Sequence, residues 1–135
     1  MIADLLFCAL LIIAAICDMR TRMIENWTIL GVLILAVGKL VFNSTELVSH
    51  GLAFLTAIPL VLLWMRGRLG GGDVKLLAAV LCYIGLARLI PFWVLFVVGL
   101  FMLVIVCAIT NKKTMPLAPA IAFAGMGALW VPYLF

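Results

Sequence analysis

The sequence predicts an all-α, polytopic membrane protein of about six transmembrane helices with short loops. Apolar residues make up 69% of the 135 residues and charged residues 10%, whereas ordinary soluble domains contain about 45–50% and about 25%. The apolar residues form continuous runs, and a closed β-barrel would need them to alternate with polar residues. This composition excludes a soluble enzyme and a nucleic-acid-binding domain, because so few charges cannot cover a water-facing surface.

Charges and turn residues divide the chain into six apolar segments. The predicted helices cover residues 2–17, 27–42, 47–65, 74–87, 92–109 and 117–135. The first and fourth are short, since about 16 residues at ~1.5 Å each span roughly 24 Å, less than a hydrocarbon core of about 30 Å. Short spans place the polar residues that flank them, Asp18 and Asp73, at the membrane boundary. Pro59 predicts a kink in the third helix.

The distribution of basic residues predicts the orientation. Loops one, three and five hold seven of the nine, and the opposite side holds Lys39 and Arg88. The seven are Arg20, Arg22, Arg66, Arg68, Lys75, Lys112 and Lys113. By the positive-inside rule the odd loops are cytoplasmic and both termini lie on the outer side. No basic stripe exists that could follow a nucleic acid, so the partners we expect are the lipid bilayer and not DNA or RNA.

Two of the five acidic residues are candidates for chemistry. Asp4 and Glu46 are predicted to be solvated charges at the outer face, and Glu25 a surface partner of nearby arginines. Asp18 and Asp73 directly adjoin apolar segments, where ionisable groups are costly and usually functional. The alternative is that both are interfacial anchors that pair with basic neighbours.

A triple glycine, Gly70, Gly71 and Gly72, precedes Asp73 where a helix is predicted to begin. Glycines permit positive φ and close approach of other backbone, so an extended peptide could lie against this turn. A flexible loop with Asp73 as N-cap is the alternative. Two carboxylates from different helices can hydrolyse a peptide bond, one taking a proton from water while the other donates one to the carbonyl. The sequence contains no serine-nucleophile or HExxH motif and no CxxC pair, so we expect no metal.

Three motifs in order resemble type IV prepilin peptidases, the GxGD aspartic proteases of the bacterial inner membrane. Residues 70–79 (GGGDVKLLAA) resemble the GxGD signature. Residues 18–27 are similar to the first motif, an aspartate followed seven residues later by Pro-Asn, with Asn26 in place and Glu25 where proline is usual. Residues 115–120 (MPLAPA) resemble the Pro-x-x-Pro start of the family's last helix.

The resemblance implies a membrane-embedded aspartic endopeptidase that removes the short basic leader from type IV prepilins or pseudopilins at the cytoplasmic face. Asp18 and Asp73 would be the catalytic pair, with Asn26, Lys75 and the three glycines in support and no cofactor. Residues 1–135 then form a single domain without the N-terminal methyltransferase extension, similar to the compact peptidases of tight-adherence (Flp) pilus systems.

Three other functions remain open at this point. A small proton- or cation-coupled transporter could use the same two acids. In a non-catalytic scaffold both acids would be anchors, and a presenilin-like protease would cut other substrates within the bilayer.

Overall fold

The computed structural model describes residues 2–21, 23–42, 47–67, 70–110 and 116–131. Within these ranges the chain forms seven helices and no strand, with a short 3-10 turn over Leu86–Arg88. The helices are α1 (Ile2–Thr21), α2 (Asn26–Phe42), α3 (Leu47–Leu55), α4 (Ile58–Met65), α5 (Gly71–Ile84), α6 (Leu89–Thr110) and α7 (Ala118–Trp130). The predicted all-α fold is confirmed, with α3 and α4 as the two halves of the third predicted span.

Three stretches are long and apolar enough to cross a membrane: Ile2–Thr21, Leu47–Met65 and Leu86–Thr110. Helices α2 and α7 are shorter but also apolar. Large apolar side chains cover the outside of the bundle, for example Phe101 and Ile109 of α6, which are 66% and 76% exposed. Such a surface is suited to hydrocarbon, in which helices can satisfy every backbone group internally.

The first helix is longer than predicted. It continues past residue 17 to Thr21, so Asp18 lies within its last turn and not in a loop. Residues 18–21 contain no glycine or proline, and the Thr21 hydroxyl donates to the Cys17 carbonyl at 2.9 Å. At ~1.5 Å per residue the helix is roughly 30 Å long, which is a full span. By contrast α5, with 14 residues, is short as predicted.

The third span breaks where the sequence places Pro59. The N–H groups of Thr56 and Ala57 donate to carbonyls only three residues back, and Pro59 lies in the first turn of α4. Proline has no N–H to donate, and its ring collides with the carbonyl four residues earlier, so the helix restarts here. No side chain of α4 is buried.

The core lies between α1, α2, α5 and α7. Helix α1 packs against α2 and α7, and α5 packs against the same two helices, while α6 covers α7 and α3 covers α5. Alanine and glycine on α7 let α1 approach closely. A Cβ atom on Gly125 would lie 2.8 Å from the Leu11 side chain and 3.3 Å from that of Val80.

A polar cluster joins three helices at the opposite end of α1 from Asp18. The Tyr83 hydroxyl donates to Asp4 at 3.0 Å, and its ring stacks on Phe7 with centroids 4.0 Å apart. The Lys39 ammonium lies 4.5 Å from the centroid of the Tyr83 ring. Asp4 is therefore a partly buried partner of Tyr83, and the prediction of a solvated loop charge is wrong. The fully buried tyrosine hydroxyl needs an acceptor, and this carboxylate supplies it.

The orientation across the membrane remains a prediction. Arg20, Arg66 and Lys75 are exposed, and each lies close in sequence to Asp18 or Asp73. Four more basic residues used in that prediction, Arg22, Arg68, Lys112 and Lys113, lie outside the described residues. Glu46, predicted as a solvated charge, and Met115 of the third motif lie outside them as well.

We expect Gly125→Val to lower the free energy of unfolding by about 1–3 kcal/mol, because it overpacks the contact between α1 and α7. Gly38→Val is the matched control, since a Cβ atom at Gly38 meets nothing within 4 Å. Thermal unfolding of both variants in a mild detergent checks this. Equal loss of stability in the two variants would contradict the close packing at Gly125.

Candidate active site

A cavity of about 320 Å³ lies where α1 ends and α5 begins. All seven residues that the sequence predicted for the site line it, and Met23 and Ile24 complete the lining. The nine residues are Asp18, Met23, Ile24, Asn26, Gly70, Gly71, Gly72, Asp73 and Lys75. The volume is enough for several water molecules beside the two carboxylates.

Asp18 enters this cavity from the last turn of α1. It is only 6% exposed, and its Oδ2 accepts a hydrogen bond of 3.0 Å from the backbone N–H of Ala118. Ala118 is the first residue of α7, where backbone N–H groups lack acceptors within their own helix. Asp18 therefore caps a helix that lies 100 residues further along the chain.

The sequence did not reveal this donor. Residues 115–120 were recognised as the start of the last helix, but nothing in them indicated a contact with the first motif. A backbone N–H carries no residue-type signal, so only the packing of α1 against α7 identifies it.

Asp73 enters the cavity from the first turn of α5. The N-cap of that helix is Gly70, and no side-chain hydrogen bond caps it, so the alternative of Asp73 as the N-capping residue is wrong. The Oδ1 atom of Asp73 is buried and has no hydrogen-bond partner within the described ranges. Buried carboxylate oxygens without a donor are uncommon in folded proteins and point to a strained or functional group.

The two carboxylates line the same cavity. Carboxylates that come close together resist double ionisation, and such a pair can hold one proton between its members. One member is then available as a base and the other as an acid, which is the combination that hydrolysis by an activated water requires.

Each of the three glycines gives room to a different neighbour. A Cβ atom on Gly70 would lie 2.8 Å from Oδ2 of Asp73, one on Gly71 would lie 3.1 Å from the indole nitrogen of Trp64, and one on Gly72 would lie 3.2 Å from Ile24. None of the three has positive φ. Glycine is needed here for close approach and not for an unusual backbone conformation.

Asn26 and Lys75 line the cavity with exposed side chains, Asn26 as the first residue of α2. The preceding residue, Glu25, accepts a hydrogen bond from the indole N–H of Trp27. Its backbone carbonyl accepts from the N–H and the hydroxyl of Thr28, at 3.1 and 2.7 Å. Glu25 thus shapes the start of α2 at the position where the resemblance leads one to expect proline.

The described part of the chain contains no group of three or more His, Cys, Asp or Glu side chains that could hold a metal ion. The sole histidine, His50, lies buried in α3, where its Nδ1 is 2.7 Å from the Cys82 carbonyl. A carbonyl only accepts hydrogen bonds, so Nδ1 is the donor. The lining of the cavity therefore offers two carboxylates, one amide and one ammonium as its polar side chains.

Comparison with known proteins agrees with the family that the motifs resemble. Residues 5–109 match the model of the type IV leader peptidase family, a range that contains both Asp18 and Asp73 and ends before α7. Among curated proteins and among solved structures, nothing matches the chain significantly. Because the family model covers well over half of the residues, the chain belongs to the type IV leader peptidase family.

Proposed function

We propose that this protein is an aspartic endopeptidase that removes the short basic leader from type IV prepilins or pseudopilins at the cytoplasmic face of the bacterial inner membrane. Family membership makes it a peptidase of prepilin-type substrates embedded in the membrane. The observation that carries the aspartic mechanism is the single cavity that both Asp18 and Asp73 line. No other acidic side chain lines that cavity.

The reaction needs one ionised and one protonated carboxyl group. The ionised member takes a proton from water as the water oxygen bonds to the scissile carbonyl carbon, and the protonated member gives its proton to the carbonyl oxygen. In the resulting tetrahedral intermediate the C–N bond breaks while the leaving nitrogen receives the proton taken from water. A hydroxyl of the intermediate returns the other proton, so the pair ends in its starting state.

The glycine turn provides the space beside the carboxylates that an extended peptide needs. Gly70, Gly71 and Gly72 all line the cavity and have no side chains of their own. Lys75 and Asn26 lie at its polar rim, where an ammonium and an amide can donate hydrogen bonds to peptide carbonyls. These three glycines and two polar residues are supporting residues in this proposal, and none of them transfers a proton.

Asp18→Asn and Asp73→Asn are each expected to lower the rate of leader cleavage by about 100- to 10,000-fold, because asparagine has nearly the same shape but cannot exchange the proton. The measurement is a gel shift of a purified prepilin incubated with purified protein in detergent or lipid. Asp4→Asn is the matched control, an equivalent change near the other end of α1, and should retain cleavage.

Cleavage that survives either change at Asp18 or Asp73 would contradict the assigned pair. If the folded wild-type protein cleaves no prepilin, a transport assay in proteoliposomes tests the main alternative, a small proton- or cation-coupled transporter. Proton or cation uptake that both substitutions abolish would identify a transporter.

Gly70→Ala is expected to slow the chemical step by about 10- to 100-fold, since small displacements of a catalytic group have effects of that size. The new Cβ atom would lie 2.8 Å from the Asp73 carboxylate oxygen and would push it from its position. Single-turnover cleavage measures the step directly.

Gly51→Ala is the matched control, because a Cβ atom there meets nothing within 4 Å. A rate for Gly70→Ala equal to that of the control would show that the close approach between residue 70 and Asp73 is unimportant for cleavage.

A further inference from the structure

The amino end of α7 donates a hydrogen bond to Asp18, whereas Oδ1 of Asp73 receives none within the described ranges. Its first N–H, that of Ala118, donates to Asp18 at 3.0 Å, and the next residue, Pro119, has no N–H. The N–H groups of Ala120 and Ile121 donate to the Leu117 carbonyl at 3.0 and 3.2 Å. The backbone N–H groups of residues 118, 120 and 121 therefore all have acceptors. Of these three, the N–H of Ala118 is the one that donates to a residue of another helix, Asp18.

A hydrogen bond from a backbone N–H favours the ionised form of a carboxyl group. The positive end of the α7 dipole acts in the same direction. Asp73 lacks such a donor on its Oδ1, which is buried and has no partner within the described ranges. A buried oxygen without a donor is a suitable place for the proton that the pair shares, because burying a carboxylate is costly unless a hydrogen bond compensates it, as one does for the more buried Asp18.

Among the described residues, the other ionisable groups near the pair lie on α5, on α1 and in the loop after α1. On α5, Lys75 lines the same cavity as Asp73, and its side chain is exposed. On α1, the ionisable residues near Asp18 in sequence are Cys17 and Arg20, and Arg20 is exposed. In the loop after α1, Glu25 accepts a hydrogen bond from the indole N–H of Trp27. Helix α7 carries no ionisable side chain, so its only electrostatic contribution is that of its backbone.

We infer that the amino end of α7 is a positioning element that keeps Asp18 as the ionised, water-activating member of the pair and leaves Asp73 as the proton donor. The inference rests on the proposed peptidase function and assigns the two roles that the function alone leaves interchangeable. Asp18 takes the proton from water and later gives it to the leaving nitrogen. Asp73 protonates the carbonyl oxygen and recovers that proton when the C–N bond breaks. Helix α7 lies outside the residues that match the family model.

The test removes the N–H of Ala118 and, beyond that, only weakens the Leu117 carbonyl as an acceptor for Ala120 and Ile121. Nonsense suppression with lactate, the α-hydroxy analogue of alanine, turns the amide between residues 117 and 118 into an ester. Proline would also remove the N–H, but Leu117 has α-helical backbone angles, which a following proline disfavours. The same replacement at Ala120 is the matched control, since it removes one hydrogen bond from the same turn without touching Asp18.

The ester at 118 is expected to lower kcat for prepilin cleavage by about 10- to 100-fold, the effect of losing one charge-assisted hydrogen bond. KM should stay within about twofold, since the N–H contacts Asp18 and not the substrate. Without the donor, Asp18 ionises only in more alkaline solution, so the acidic limb of the kcat/KM profile should move to higher pH while the basic limb stays in place. The ester at 120 should move neither limb.

Equal kinetics and pH profiles for the two esters would overturn the positioning role while leaving the peptidase proposal intact. A shift of the basic limb alone in the 118 ester would reverse the roles of Asp18 and Asp73. Failure of the wild-type protein to cleave any prepilin would overturn the proposed function, and the role assignment with it.

Discussion

The hydrogen bond between the Ala118 N–H and the Asp18 carboxylate joins the end of the first helix to the start of the last one. In hydrocarbon an unpaired backbone N–H costs several kcal/mol, and so does an unpaired carboxylate. Each group gives the other a partner, and their contact joins the last turn of α1 to the first residue of α7. Asp18 also lines the cavity, which Asp73 enters from the first turn of α5.

Apolar packing alone gives membrane helices little preference for one vertical position, since lipid is as apolar as the helix surface. This bundle has polar contacts at both ends of α1. Asp18 binds the start of α7, and Asp4 binds Tyr83 of α5 with Lys39 of α2 beside it. Between them the close contact of Gly125 with Leu11 sets the distance between α1 and α7. Polar contacts thus fix the positions of these helices along the membrane normal, and small residues fix the distances between the helices.

Sequence patterns predicted the features that depend on local composition. The apolar runs, the break at Pro59 and seven of the nine residues that line the cavity, including Asn26 and Lys75, follow from such patterns or from the resemblance they carry. Contacts between distant parts of the chain were not predictable in this way. The Tyr83 partner of Asp4 and the Ala118 donor depend on packing between helices far apart in sequence. Backbone groups and tyrosine hydroxyls give no periodic signal that would pair them.

Helix α4 differs from the other helices in how little of it is buried in the bundle. It buries no side chain, and the break before it separates it from α3. Its Trp64 lies beside Gly71, which is one of the residues that line the cavity. Moving such a segment exposes little core to lipid, since Leu60 is its partly buried contact with the core, so the free energy of local opening is small compared with that of the whole fold. The wall beside the glycine turn is therefore the part of the cavity that can widen at least cost, while the two carboxylates stay on helices that are firmly packed.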